Sequence, residues 1–164
     1  GYIGLQWWMG EGDRYYKPQD IYREIDRLLT QLKIAPGSAM LEGFSRGSAN
    51  IYAVAALDRV RGRKYFNVFV ASSGGVAVDY PPTHMIETGA FGKQPFAGSH
   101  WITACGGIDE NPERDGCPAM RRTADWLKGK GANVVMQLED PKQGHGAFHR
   151  NPELANKALD WFTK

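Results

Sequence analysis

Residues 39–57 read Ala39-Met40-Leu41-Glu42-Gly43-Phe44-Ser45-Arg46-Gly47-Ser48-Ala49-Asn50-Ile51-Tyr52-Ala53-Val54-Ala55-Ala56-Leu57. The apolar run at the start is a strand signal, and the longer run after Asn50, apolar on nearly every side, is a central covered helix. Between them lies Gly43-Phe44-Ser45-Arg46-Gly47, a Gly-x-Ser-x-Gly pattern set on a strand-to-helix turn. A serine hydroxyl is a weak nucleophile and must stand clear of its own backbone, where a base can reach it. A strand breaking sharply into a helix does this, but it brings neighbouring backbone close, so small residues are expected at Gly43 and Gly47. The helix start also aims unpaired N–H groups and the positive end of its dipole at the same place, where a developing oxyanion can use them. The plain alternative is a glycine-rich turn whose serine only caps the helix.

Outward from this unit, strand and helix signals alternate. Gly1 to Met9 is nearly all apolar and reads as a buried strand. Pro18 opens a helix with Ile21, Ile25, Leu28, Leu29 and Leu32 on one face, which Pro36-Gly37 stops. Tyr65 to Ala71 is a β-rich run. From Tyr80 to Ser99 the prolines and glycines leave loops with at most a short helix. Trp101 to Cys105 is another strand, and Pro118 starts a helix with Met120, Ala124 and Leu127 inward, ending at Gly129-Lys130-Gly131. Asn133 to Leu138 is the last strand, and Asn151-Pro152 caps and opens the final helix. Such alternation predicts one α/β domain over residues 1–164, a mainly parallel sheet of about five strands with helices on both faces. In such sheets chemistry gathers beyond the carboxyl ends of the strands.

Composition excludes several function classes. The 164 residues are 42% hydrophobic and 23% charged with a net charge of +2, as in ordinary globular proteins. The basic group Arg59, Arg61, Arg63 and Lys64 reads as a solvated connection, so no nucleic-acid partner is expected. No apolar run approaches the roughly 18 residues of a membrane span. Cys105 and Cys117 bracket a loop and are either a disulfide or two separate thiols. A disulfide would favour a secreted or periplasmic setting. Zinc is not expected: the cysteines are too far apart for a finger, and His145-Gly-Ala-Phe-His149 lacks a metalloprotease glutamate. No cofactor is expected either.

A seryl nucleophile needs a base, and the base needs an acid to fix its tautomer. His145 lies in Gln143-Gly144-His145-Gly146, directly after the last strand, where glycines let the ring turn toward Ser45. His149 reads as a surface or capping residue, His100 lies at the wrong end of its strand, and His84 could line a pocket. For the acid, Asp109 follows the Trp101 strand in Gly106-Gly107-Ile108-Asp109, with Asp115, Asp79 and Asp140 as rivals.

The order Ser45, Asp109, His145 resembles the α/β-hydrolase superfamily, which carries serine, then an acid, then histidine. The resemblance covers the whole chain, from the family's fourth strand to its last helix. Residues 26–48 are similar to its esterase branch, including polyhydroxybutyrate-depolymerase-like and feruloyl-esterase-like members. It implies a serine esterase that forms an acyl-enzyme on Ser45, with the Arg46 N–H as one oxyanion donor. It also implies three earlier strands and a second donor upstream of Gly1, so the chain is expected to be incomplete at its N-terminus. Trp7 and Trp8, at the end of the first strand, and Tyr15 beyond it read either as an aromatic substrate wall or as core. The expected partner is a small-molecule or polymeric ester. A peptidase on the same fold and a non-catalytic binding member are the alternatives.

Overall fold

Residues 17–60 and 65–164 are described by the structure, a computed structural model. Four apolar runs lie side by side as a parallel sheet in the order β1 (Ala39–Phe44), β2 (Phe66–Ser72), β3 (His100–Gly106) and β4 (Asn133–Asp140). The expected strand over residues 1–9 lies outside the described residues. The register aligns Phe44 with Ser72, Ser72 with Ala104, and Ala104 with Leu138. That row fixes the rim: the chain leaving each strand enters its loop at nearly the same height.

Side chains alternate across the sheet with period two, and each set meets its own layer of helices. Phe69, Ala71 and Trp101 join the larger core with Ile51, Tyr52 and Ala55 of α2 (Arg46–Val60) and Met120 and Leu127 of α4 (Cys117–Gly129). Val68, Val70, Ile102, Ala104 and Leu138 pack on the other side against Ala147 and Phe148 of α5 (Ala147–Arg150) and Leu154 and Ala158 of α6 (Pro152–Phe162). Helices therefore cover both faces, as the alternation predicts. The broken region contributes one short helix, α3 (Pro81–Glu87).

The first described helix, α1 (Pro18–Gln31), departs from its predicted face. Leu32 lies past the last helical residue and is 41% exposed, whereas Tyr22 is buried. The reason is polar. Tyr22 donates its hydroxyl to Asp58 Oδ1 at 2.9 Å, and the same buried carboxylate accepts the N–H groups of Tyr65 and Phe66. Burial first, and then the Asp58 charge, holds the Tyr22 phenol well above its ordinary range. One carboxylate thus fastens α1, the end of α2 and the start of β2 together. Asp58→Ala would strand these buried donors, at an expected cost of about 3 kcal/mol. Urea unfolding checks this, and a loss below about 0.5 kcal/mol, the scale of an ordinary surface change, would mean the network carries no such weight.

Candidate functional site

The site begins where β1 stops. Ser45 sits between β1 and α2 with φ +54°, a left-handed backbone that a side chain disfavours. Its N–H is held by the Ser72 carbonyl at 2.8 Å. A Cβ on Gly43 would stand 2.6 Å from both the Gly47 carbonyl oxygen and Ile51 Cγ2, so that position admits only hydrogen. Gly47 is different: nothing among the described residues stands within 4 Å of an added Cβ. The crowding expected there is a property of the other partner, because the Gly47 carbonyl is what Gly43 must accommodate.

Gly74, which the sequence did not single out, is pressed harder. A Cβ on it would lie 2.2 Å from the Ser45 carbonyl oxygen. Its own carbonyl accepts hydroxyls from Ser48 at 2.7 Å and Tyr52 at 2.9 Å. The loop after β2 is thereby clamped against the first turns of α2. The glycine pair closing the Ser72-Ser73-Gly74-Gly75 run was the available signal.

Asp109 and His145 arrive on the loops after β3 and β4, and these loops touch backbone to backbone. Gly107 N–H donates to the Asp140 carbonyl at 2.8 Å and Ile108 N–H to the Gln143 carbonyl at 3.1 Å. A Cβ on Gly106 would strike the Gly144 carbonyl oxygen at 2.2 Å. The far end of the histidine loop is tied down by Asn151. Its side-chain oxygen caps α6 through Glu153 N–H, while its amide donates to Asp140 at 2.7 Å. With the Lys142 N–H, that amide holds the Asp140 carboxyl below the ordinary range.

Three side chains from three turns meet at this rim. His145 Nε2 is 3.0 Å from Ser45 Oγ, and His145 Nδ1 is 2.9 Å from Asp109 Oδ2. A carboxylate can only accept, so Nδ1 carries the hydrogen, and Nε2 presents its lone pair to the serine hydroxyl. Asp109 is 7% exposed, and its other oxygen accepts the Asn111 N–H at 2.9 Å. The Phe44 ring lies 5.0 Å from the His145 ring. Such a series can draw the proton from a hydroxyl as it attacks an electrophilic carbon.

The rivals fall elsewhere. Asp115 is buried close by, but the Arg114 guanidinium donates to it at 2.6 and 2.8 Å. Asp79 is exposed, and Asp140 is engaged with Asn151 and Lys142. His100 starts β3 with Nδ1 3.3 Å from Asn67 and its ring against Trp161, and His84 is exposed on α3. His149 is exposed, as the surface reading expects, with its ring 4.8 Å from Phe44 and Nε2 3.5 Å from Glu42 Oε1. Arg46 is the first residue of α2. Trp7, Trp8 and Tyr15 lie outside the described residues, as do Arg61, Arg63 and Lys64.

Cys105 and Cys117 form a disulfide, which settles the alternative left open by their spacing. Their sulfurs are therefore not thiolate ligands. One nitrogen of His145 and one oxygen each from Asp109 and Asp115 lie within 4.8 Å of one another, the spacing of a possible metal site. The Arg114 guanidinium on Asp115 already supplies the positive charge there. No helix of the described residues is long and apolar enough to cross a membrane.

No family model matches the chain, and no curated protein matches it in sequence. Solved structures do match it in shape. Arabidopsis thaliana SOBER1 superposes with a TM-score of 0.66 at 17% identity, over 90% of this chain and 64% of that one. Zea mays acyl-protein thioesterase 2 gives 0.59 at 19% identity, over 94% and 68%. The Bacillus cereus carboxylesterase gives 0.59 at 19% identity, over 89% and 58%. The chain thus spans about three fifths of the length of such structures. At these identities the likeness establishes the fold: a parallel α/β-hydrolase-type sheet with helices on both faces.

Two outcomes test the local physics. Because Ser45 has positive φ, Ser45→Gly should be more stable than Ser45→Ala by about 1 kcal/mol in urea unfolding. Equal stability would mean that the turn relaxes in the absence of the hydroxyl. Burial raises the Glu42 carboxyl above its ordinary value, with His149 opposing the shift. A raised acid favours the folded state while protonated, and that advantage is lost as pH rises through its folded value. Glu42→Gln should therefore melt higher than wild type at pH 7 and show no such gain in acid. A gain that does not change with pH would assign the effect to packing.

Proposed function

We propose that this protein is a serine hydrolase that cleaves a carboxylic ester through an acyl-enzyme on Ser45. The observation that carries this reading is the unbroken hydrogen-bonded series Ser45–His145–Asp109, set on a left-handed turn at the carboxyl rim of the sheet. The structural neighbours include an acyl-protein thioesterase and a carboxylesterase, which supports this class.

In the first step Ser45 Oγ attacks the ester carbonyl carbon as its proton passes to His145 Nε2. Asp109 accepts from Nδ1–H, so the ring stays oriented and its new charge is met. The carbonyl oxygen becomes an oxyanion at the start of α2 and takes a hydrogen bond from the N–H of Arg46, the first residue of that helix. Collapse of this intermediate breaks the carbon–oxygen bond, and the leaving alcohol takes the proton from His145. Water then repeats the sequence, giving its proton to His145 and releasing the acid from Ser45. Phe44 and Ile108, next to Ser45 and Asp109 in sequence, are 36% and 66% exposed. Apolar exposure beside two of the three groups favours a substrate with an apolar portion over a highly charged one.

A fluorophosphonate probe should label wild type and leave Ser45→Ala unmarked. On 4-nitrophenyl acetate, Ser45→Ala and His145→Ala should each lower kcat by about 10⁵–10⁶-fold, and Asp109→Asn by about 10⁴-fold. A wild-type protein that neither labels nor turns over any ester, thioester or anilide would point to the binding-only alternative. Faster turnover of a matched anilide than of the ester would point to the peptidase.

A further inference from the structure

The loop that carries Asp109, residues 107–116, contains no helix or strand of its own. Its internal order is local: the Asn111 carbonyl accepts the N–H groups of Arg114, Asp115 and Gly116, and the Asn111 N–H returns to Asp109 Oδ1. Cys105, the next-to-last residue of β3, and Cys117, the first residue of α4, close this loop at its base with their Cα atoms 5.1 Å apart. Both cysteines are buried in the larger core with Trp101, Met120 and Leu127. The path from the cross-link to the acid is short. Gly116 precedes Cys117 directly, and a Cβ on it would lie 3.2 Å from the Asp109 Cβ and 2.7 Å from Pro112 Cα. The backbone adjoining one cysteine is therefore packed against the side chain that reaches His145, while the other cysteine lies four residues upstream of it.

We propose that the Cys105–Cys117 disulfide is a positioning element for Asp109, so that the protein reaches full turnover only once the cross-link has formed. This rests on the reading of Asp109 as the acid that orients His145. A disulfide usually acts by restricting the unfolded chain. Here the closed segment also holds a group whose work depends on placement, and an ordered loop base removes freedom from the folded state as well. Formation is a two-electron step. The two thiols lose two protons and two electrons to an incoming low-molecular-weight disulfide, such as oxidised glutathione, which leaves as two thiols. With both sulfurs buried, closure belongs to folding in an oxidising setting rather than to repeated cycling. A chain folded under reducing conditions would hold its fold and its Ser45–His145 contact while its acid drifts.

The test is a double-mutant comparison using Cys105→Ser/Cys117→Ser, with Cys105→Ala/Cys117→Val as a better-packed second version, each made in wild-type and Asp109→Asn backgrounds. Assays run well below the melting temperature, with circular dichroism confirming the fold. In the wild-type background the cysteine changes should lower kcat on 4-nitrophenyl acetate by about 10–100-fold, a small part of what losing the acid costs, with KM within about twofold. In Asp109→Asn they should cost less than about twofold more, because groups acting as one unit are not additive. An equal loss in both backgrounds, or a lower melting temperature with kcat unchanged, overturns the proposal. A second readout needs no turnover: the low-field proton resonance of the His145 Nδ1–H···Asp109 bond. It should be present in the cross-linked protein and lost or broadened in both cysteine variants. An unchanged resonance there overturns the positioning role. Loss of the resonance in the variants of a protein that turns over no ester would overturn the esterase reading alone.

Discussion

Ser45 holds a backbone conformation that its own side chain disfavours, and the residues around it are sized to keep it there. The serine N–H is drawn onto β2 through Ser72, and its carbonyl presses on Gly74. Gly43 leaves room for the Gly47 carbonyl. A left-handed non-glycine residue costs of order 1–3 kcal/mol and persists only when its surroundings fix it from several sides. Here those sides are β1, α2 and the loop after β2. The rest of the site presupposes this turn, because a continued strand would aim the hydroxyl out of one face of the sheet and not at the rim where His145 lies.

The sheet supplies the second condition. Parallel strands in near-level register deliver their loops to one rim, so residues 45, 109 and 145 meet although they are far apart in sequence. Gly106 and Gly107 let the histidine loop and the acid loop touch backbone to backbone, which leaves little slack between the two groups. The same economy appears at Gly74. Glycine is used at this rim less for turning than for allowing approach.

Much of this was legible in the chain. The four described strands, the helix after Ser45 and the Asn151 cap follow from apolar period and capping chemistry, which are local signals. What was not legible depended on contacts distant in sequence. Tyr22 replaces Leu32 on the inner face of α1 because a buried carboxylate 36 positions away accepts its hydroxyl. No helical periodicity contains that information. His149 reads as a surface or capping residue by its place before α6, and it is exposed, but the ring and carboxylate of β1 that lie against it have no local signal. Gly74 and Gly106 read as ordinary turn residues, and only the fold reveals what lies against them. For the cysteines, spacing alone allowed two outcomes, and the proximity of a strand end to a helix start decided between them.

Asn151 has a consequence for how the histidine loop can change over evolutionary time. A single amide grips both the end of β4 and the start of α6. The segment between is therefore a handle riveted at two ends, rather than a flap hinged at one. The span between the rivets is itself held, by Gln143 on the Ile108 N–H, by Gly144 against Gly106 and by Ala147 and Phe148 in the core, so its length is fixed along with its ends. An insertion there would carry the His145 ring off Ser45 and Asp109 before it displaced the sheet, so this handle resists the length changes that surface loops commonly tolerate.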